Sequence, residues 1–119
     1  MYNYAGASTV INILAAASQA ATLNSGAIDL RDYEGPVAIM QNKGAGTGTL
    51  DGKIQDSDDG ATGWVDVAGA TFVQAGAAVD IQKLALQSKS TRRFIRYTGT
   101  IVTGPHVVAV SMLGVRKLV

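Results

Sequence analysis

The sequence predicts an all-β protein: an antiparallel β-sandwich, jelly-roll or immunoglobulin-like, of about seven or eight strands. Three observations predict it. Turn-forming residues recur along the chain at intervals of roughly eight to twelve positions. β-Branched residues fall in short runs between those turns. Helical spacing is nearly absent, and the one candidate, "VINILAAASQAATL", opens with Val10, Ile11 and Ile13, which favour extended chain over helix. A length of 119 residues favours one domain with one core.

Taken in order, residues 1–22 are uncharged and fit the strand rhythm poorly. They read as a strand and a loosely ordered link, forming an N-terminal arm that orders on a neighbouring subunit or stays disordered. Residues 23–119 read as the sandwich domain. "GPVAIMQNK" is an apolar run opened by Gly35-Pro36, as expected of a buried strand with proline at its start. "GTLDGKIQ" alternates, with Leu50, Gly52 and Ile54 on one face and Asp51, Lys53 and Gln55 on the other. "WVDVAG" sets Val65 and Val67 against Trp64 and Asp66. "AAVDIQKLAL" places Val79 and Ile81 opposite Asp80 and Gln82. "RRFIRYTGTIV" puts Ile95, Tyr97 and Ile101 on one face and Phe94, Arg96 and Thr98 on the other. "HVVAVSMLGVRKL" is apolar on both faces, which predicts a central strand near the C-terminus.

Composition excludes several classes. There is no cysteine, so disulfides, thiolate catalysis and cysteine-based zinc sites are out. No run reaches the ~18 apolar residues of a membrane helix. "MYNYAGAS" carries no Lys or Arg, so the apolar run after it lacks the basic start of a secretion signal. A net charge of +1 argues against nucleic acid. The charge is segregated, however. All nine acids lie between Asp29 and Asp80, whereas seven bases and no acid follow Ile81. Either acidic and basic surfaces face different neighbours, or strands from both parts interleave and the charges mix.

The stretch "KIQDSDDGATGWVDV" concentrates Asp56, Asp58 and Asp59 beside two glycines and the lone tryptophan. An EF-hand loop counted from Asp56 fails, because its fifth position is Gly60 and its twelfth is Val67. A different calcium site on the three aspartates stays open. The simpler reading is a hairpin turn, in which Asp59-Gly60 supplies the positive φ and aspartate side chains cap their own turn. Trp64 then closes the end of the core, or, if exposed, offers a platform for a sugar ring. "KGAGTGTLDGK" matches neither a phosphate-binding loop nor a dinucleotide fingerprint, and reads as a flexible hairpin loop. His106, the only histidine, follows Gly104-Pro105 and reads as a turn residue; Ser111 is nearby without an elbow motif around it. Arg92, Arg93 and Arg96, with Lys89, form the basic cluster, read as a solvated face or a protein interface. No catalytic set, cofactor, metal or small-molecule substrate is expected.

Residues 26–72, "GAIDLRDYEGPVAIMQNKGAGTGTLDGKIQDSDDGATGWVDVAGATF", and 92–114, "RRFIRYTGTIVTGPHVVAVSMLG", resemble the head decoration, or cement, proteins of tailed bacteriophages. The matching elements are Asp29-Leu30, Tyr33-Glu34-Gly35, Lys53 through Trp64 to Ala70, and Arg93 to Arg96. The Ser-Asp-Gly-Trp hairpin also resembles one in discoidin-type carbohydrate modules, and Gly63 directly before Trp64 departs from the pattern. The resemblance implies a small β-sandwich virion protein on the outside of the capsid, often a trimer. Its partner would be the major capsid protein, whose subunits it would clamp against the pressure of packaged DNA. The capsid contacts expected are Tyr2, Tyr4, Val10, Ile11, Ile13, Arg92, Arg93 and Arg96. A carbohydrate-binding module and a tail or connector subunit are the alternatives.

Overall fold

Alternation of apolar and polar residues organises most of the strands, and each sets one face toward a shared core. The computed structural model describes residues 8–116. Among them are nine strands: β1 (Ser8–Gln19), β2 (Leu23–Asn24), β3 (Ile28–Asp29), β4 (Tyr33–Gly46), β5 (Thr49–Ser57), β6 (Val65–Thr71), β7 (Asp80–Gln87), β8 (Phe94–Val102) and β9 (His106–Arg116). A 3-10 turn, Ser88–Ser90, is the one helical element described. Two antiparallel sheets result. The first has the order β1-β9-β4-β7 and the second β2-β8-β5-β6, with β3 also paired to β8. This is the expected antiparallel sandwich, with nine strands against the expected seven or eight, two of them, β2 and β3, only two residues long.

The core lies between the sheets. Val37 and Ile39 of β4 and Val108, Val110 and Met112 of β9 meet Leu50 and Ile54 of β5 and Ile95 and Tyr97 of β8. As expected, β9 is central, between β1 and β4, with Val108, Val110 and Met112 facing the core and Val107, Leu113 and Val115 facing out. Pro36 sits at an irregularity of the β4–β9 pairing, between Glu34 and Ala38, and at the end of the β4–β7 ladder, opposite Gln87. The Phe72 and Tyr97 rings meet at 6.1 Å and fill the centre of the second sheet's inner face.

Two expectations change here. Residues 8–19 of the expected 1–22 arm are not detached. They form β1, paired with β9 from Ser8↔Val115 to Gln19↔His106 through two irregularities. Ile13 is buried in the core and Ile11 and Leu14 pack against it, which explains why a stretch with poor alternation still folds into the sheet. The Gly-rich stretch before β5 is not a hairpin, because β4 and β5 belong to different sheets. The Thr47-Gly48 turn is a corner between sheets. It is tied to the β8–β9 corner by Thr47 N to Pro105 O (3.0 Å) and Gly104 N to Thr47 O (3.0 Å).

The interleaved order also decides the charge question. Acidic β5 and β6 share a sheet with basic β8, so the charges mix: Arg92 pairs with Asp56 and Arg93 with Asp29.

Candidate functional site

The Asp-rich turn joins β5 to β6 within one sheet, so it is a true hairpin. Gly60 and Gly63 have φ of +75° and +68°, a region open to glycine at little cost. Asp59 is the cap. Its carboxylate accepts from the backbone amides of Ala61 and Thr62 and from the Thr62 hydroxyl, each at 2.9 Å. Those donors, the Thr62 amide foremost, hold the Asp59 carboxyl well below the usual carboxylate range. The buried Ser57 hydroxyl bonds the Thr62 carbonyl and accepts from the Gly60 amide at 3.2 Å, closing the turn from inside.

Asp56 and Asp58 are held by Arg92. Its Nε donates to Asp56 at 2.9 Å, its backbone N–H donates to the other oxygen of the same carboxylate at 3.0 Å, and a terminal nitrogen reaches Asp58 at 3.4 Å. The second terminal nitrogen donates to the carbonyls of Asp56 (2.6 Å) and Gly63 (2.8 Å). Five donor contacts from one arginine thus fasten the start of β8 to both ends of the turn. Asp56 and Asp58 share Arg92, whereas Asp59 is held by donors within the turn, so the three carboxylates do not converge on one centre. Among the described residues no group of three His, Cys, Asp or Glu side chains is placed to hold a metal ion.

The other arginines are engaged as well. Arg93 makes a two-point pair with Asp29, at 3.1 and 2.8 Å, and lies 4.8 Å from the centre of the Phe94 ring. That pair is the largest cause lowering the Asp29 pKa. Arg96 donates twice to Gln55 Oε1, at 3.0 and 2.8 Å, and its guanidinium sits 4.5 Å from the centre of the Trp64 ring. Trp64 is therefore not the lid of the core expected from the sequence. It is half-buried on the outer side of the second sheet, outside the core cluster, with a cation stacked on its ring. Gln55 also accepts from Thr98 at 3.1 Å and donates to Asp66 at 2.8 Å, so the outer face of this sheet carries a continuous polar network.

The expected N-terminal contacts divide. Tyr2 and Tyr4 lie outside the described residues. Ile13 is a core residue and Ile11 packs against the core, while Val10 alone of the three projects outward, 67% exposed.

His106 is not the surface turn residue expected from its neighbours. It begins β9 with its ring fully buried against Gly46, and neither ring nitrogen has a hydrogen-bond partner. Burial and the nearby Lys43 ammonium lower its pKa from 6.5. Ser111, five positions on, is on the outward side of the same strand, so the two cannot act as base and nucleophile. Lys43 is itself fully buried and donates to the Gly44 carbonyl at 2.8 Å. Sequence reading missed this buried polar end of the core. The signal was the alternation Val37, Ile39, Gln41, Lys43, which turns all four side chains inward.

No family model matches the chain, and no curated protein matches it. Among solved structures, the chain is similar to the SPBc2 prophage-derived protein YomS. The TM-score is 0.58 at 10% identity, over 91% of this chain and 92% of that one. A structure described as "CBM4 structure and function" aligns with a TM-score of 0.46 at 16% identity, over 81% of this chain and 61% of that one. The first likeness shows a shared fold.

Proposed function

We propose that this chain is a structural component of a tailed-phage virion, and within the virion a decoration protein. In this reading it sits on the outer surface of the capsid and clamps neighbouring major capsid subunits against internal DNA pressure. The observation that carries the reading is the end-to-end fold likeness to a prophage-derived protein of matching length. The site chemistry supports it. Arg92 ties Asp56 and Asp58 of the β5–β6 turn to the entry of β8, Asp59 caps that turn, Arg96 holds Gln55 of β5, and Arg93 holds Asp29 of β3, so the most charged region works as a rivet. A protein whose task is mechanical needs such an internally satisfied tip. The glycan-binding reading fares worse, because Arg96 lies over the ring that a sugar would need.

The capsid contacts that remain in this proposal are the segment before β1, with Tyr2 and Tyr4, and exposed Val10. Arg93 can contribute through donors outside its Asp29 pair. The test is co-sedimentation with shells assembled from the major capsid protein of the phage genome that encodes this chain. Full-length protein is expected to saturate the shells, and removal of residues 1–7 to abolish binding while the melting temperature holds. Shells that stay bare at saturating protein would overturn the decoration role. Removal of residues 1–22 is the wrong truncation, because it strips β1 and Ile13 from the core.

A further inference from the structure

The two sheets present very different outer surfaces. The outer face of the β2-β8-β5-β6 sheet is laced by Lys53–Asp66, Gln55–Asp66 and Arg96–Gln55. The outer face of the β1-β9-β4-β7 sheet is almost without charge. Strand alternation turns Val10 of β1, Val107, Leu113 and Val115 of β9, Met40 of β4 and Ile81 of β7 outward together. Ile81 and Val10 are each 67% exposed and Val107 46%. Lys83 is the one charge within this face, Glu34 lies at its end, and Asn12, Asn42 and Ser111 are its polar residues. On β7 the pattern is inverted from the ordinary one: Asp80 and Gln82 face the other sheet while Ile81 faces out. Gln82 holds this arrangement by bonding both the amide and the carbonyl of Val73, at 2.7 and 2.8 Å.

We infer that this face is a self-association surface, on which two copies of the chain pack sheet against sheet across a two-fold axis. Size supports a second copy. Four strands at ~4.8 Å spacing and roughly 30 Å of strand length give about 600 Å² of projected face. Side-chain relief brings the accessible area toward the ~800 Å² per partner of a standard stable interface. Charge supports it too, since a nearly neutral surface meets its own copy without the repulsion a charged sheet would carry. Geometry selects the pair over the trimer suggested by family resemblance. A sheet face packs on its two-fold copy about 10 Å away through one self-complementary patch, whereas a three-fold ring joins each copy to its neighbours through two different patches. The inference is independent of the virion reading.

The experiment is sedimentation equilibrium on the full chain, alone and without shells, with circular dichroism melts in parallel. Wild type is expected at twice the chain mass. Ile81→Lys and Val107→Lys, both at well-exposed positions, are each expected to weaken the dimer by at least about tenfold while leaving the melt of the monomer unchanged. Thr100→Lys, on the outer face of the other sheet, is expected to leave the dimer intact. A wild-type monomer at about 100 μM overturns the inference, as does a trimer or a dimer indifferent to Ile81→Lys and Val107→Lys. A monomer that binds shells through this face, shown by the same two variants losing shell binding, assigns the surface to the capsid and overturns self-association while leaving the virion proposal standing.

Discussion

Arg92 and Asp56 meet twice: the guanidinium Nε donates to one carboxylate oxygen at 2.9 Å and the Arg92 backbone amide to the other at 3.0 Å. One residue thus contributes both a side-chain and a main-chain donor to a single carboxylate. It joins the entry to β8 with the β5–β6 turn in a geometry that a lysine cannot copy, because an ammonium offers no planar fork.

Arg92→Lys is therefore expected to destabilise nearly as much as Arg92→Ala, lowering the melting temperature by about 5–10 °C. Asp56→Asn, which keeps one acceptor oxygen, should lose less. Thermal melts followed by circular dichroism check the order.

How much of this is legible in the sequence depends on the kind of signal. Strands with clean alternation are legible: the sequence divides Leu50-Gly52-Ile54 from Asp51-Lys53-Gln55, and the structure buries the first set. The capping role of Asp59-Gly60 followed from turn chemistry alone. β1 was obscured because its two irregularities break the period of two, so Ile11, Ile13 and Leu14 contribute to the core with the wrong spacing for a regular strand. The Arg92 rivet was out of reach. It depends on β8 lying beside β5, a pairing between residues far apart in the chain that no local pattern encodes. Trp64 was misplaced for the same reason, since its partner Arg96 comes from that neighbouring strand.

Glycine positions separate steric from conformational demand. A Cβ on Gly52 would meet Gln41 and the Tyr97 ring, with Tyr97 Cε2 at 2.8 Å, inside the core. Gly52→Ala is expected to cost roughly 2–3 kcal/mol through overpacking. Gly63→Ala meets nothing within 4 Å but keeps a φ of +68°. Its cost is expected near 1 kcal/mol. Urea titration of both variants measures the difference.

Acid sensitivity should trace to His106. Its pKa is lowered in the folded chain by burial and then by Lys43, so the unfolded chain takes up the proton first as pH falls. Stability is thus fully present above the ordinary value of 6.5 and declines as pH drops below it. Asp29, Asp59 and Asp66 are also lowered, from 3.8, and their losses begin only nearer that value. Urea midpoints between about pH 7.5 and 5.5 should fall for wild type and stay level for His106→Gln.

The Arg96–Trp64 stack should be visible in fluorescence. Arg96→Ala uncovers the indole, so emission should shift to longer wavelength, with a stability loss of about 0.5–1 kcal/mol. Oligosaccharides should leave the wild-type spectrum unchanged; a saturable shift on adding them would favour the carbohydrate-module alternative.

The most direct measurement for the virion role is cryo-electron microscopy of the phage particle that carries this chain, at a resolution that separates the two sheets. The expected result is density for the sandwich on the outer capsid surface, in contact with at least two major capsid subunits through the segment before β1. Density confined to the tail or connector, or a particle without the chain, would contradict the decoration role.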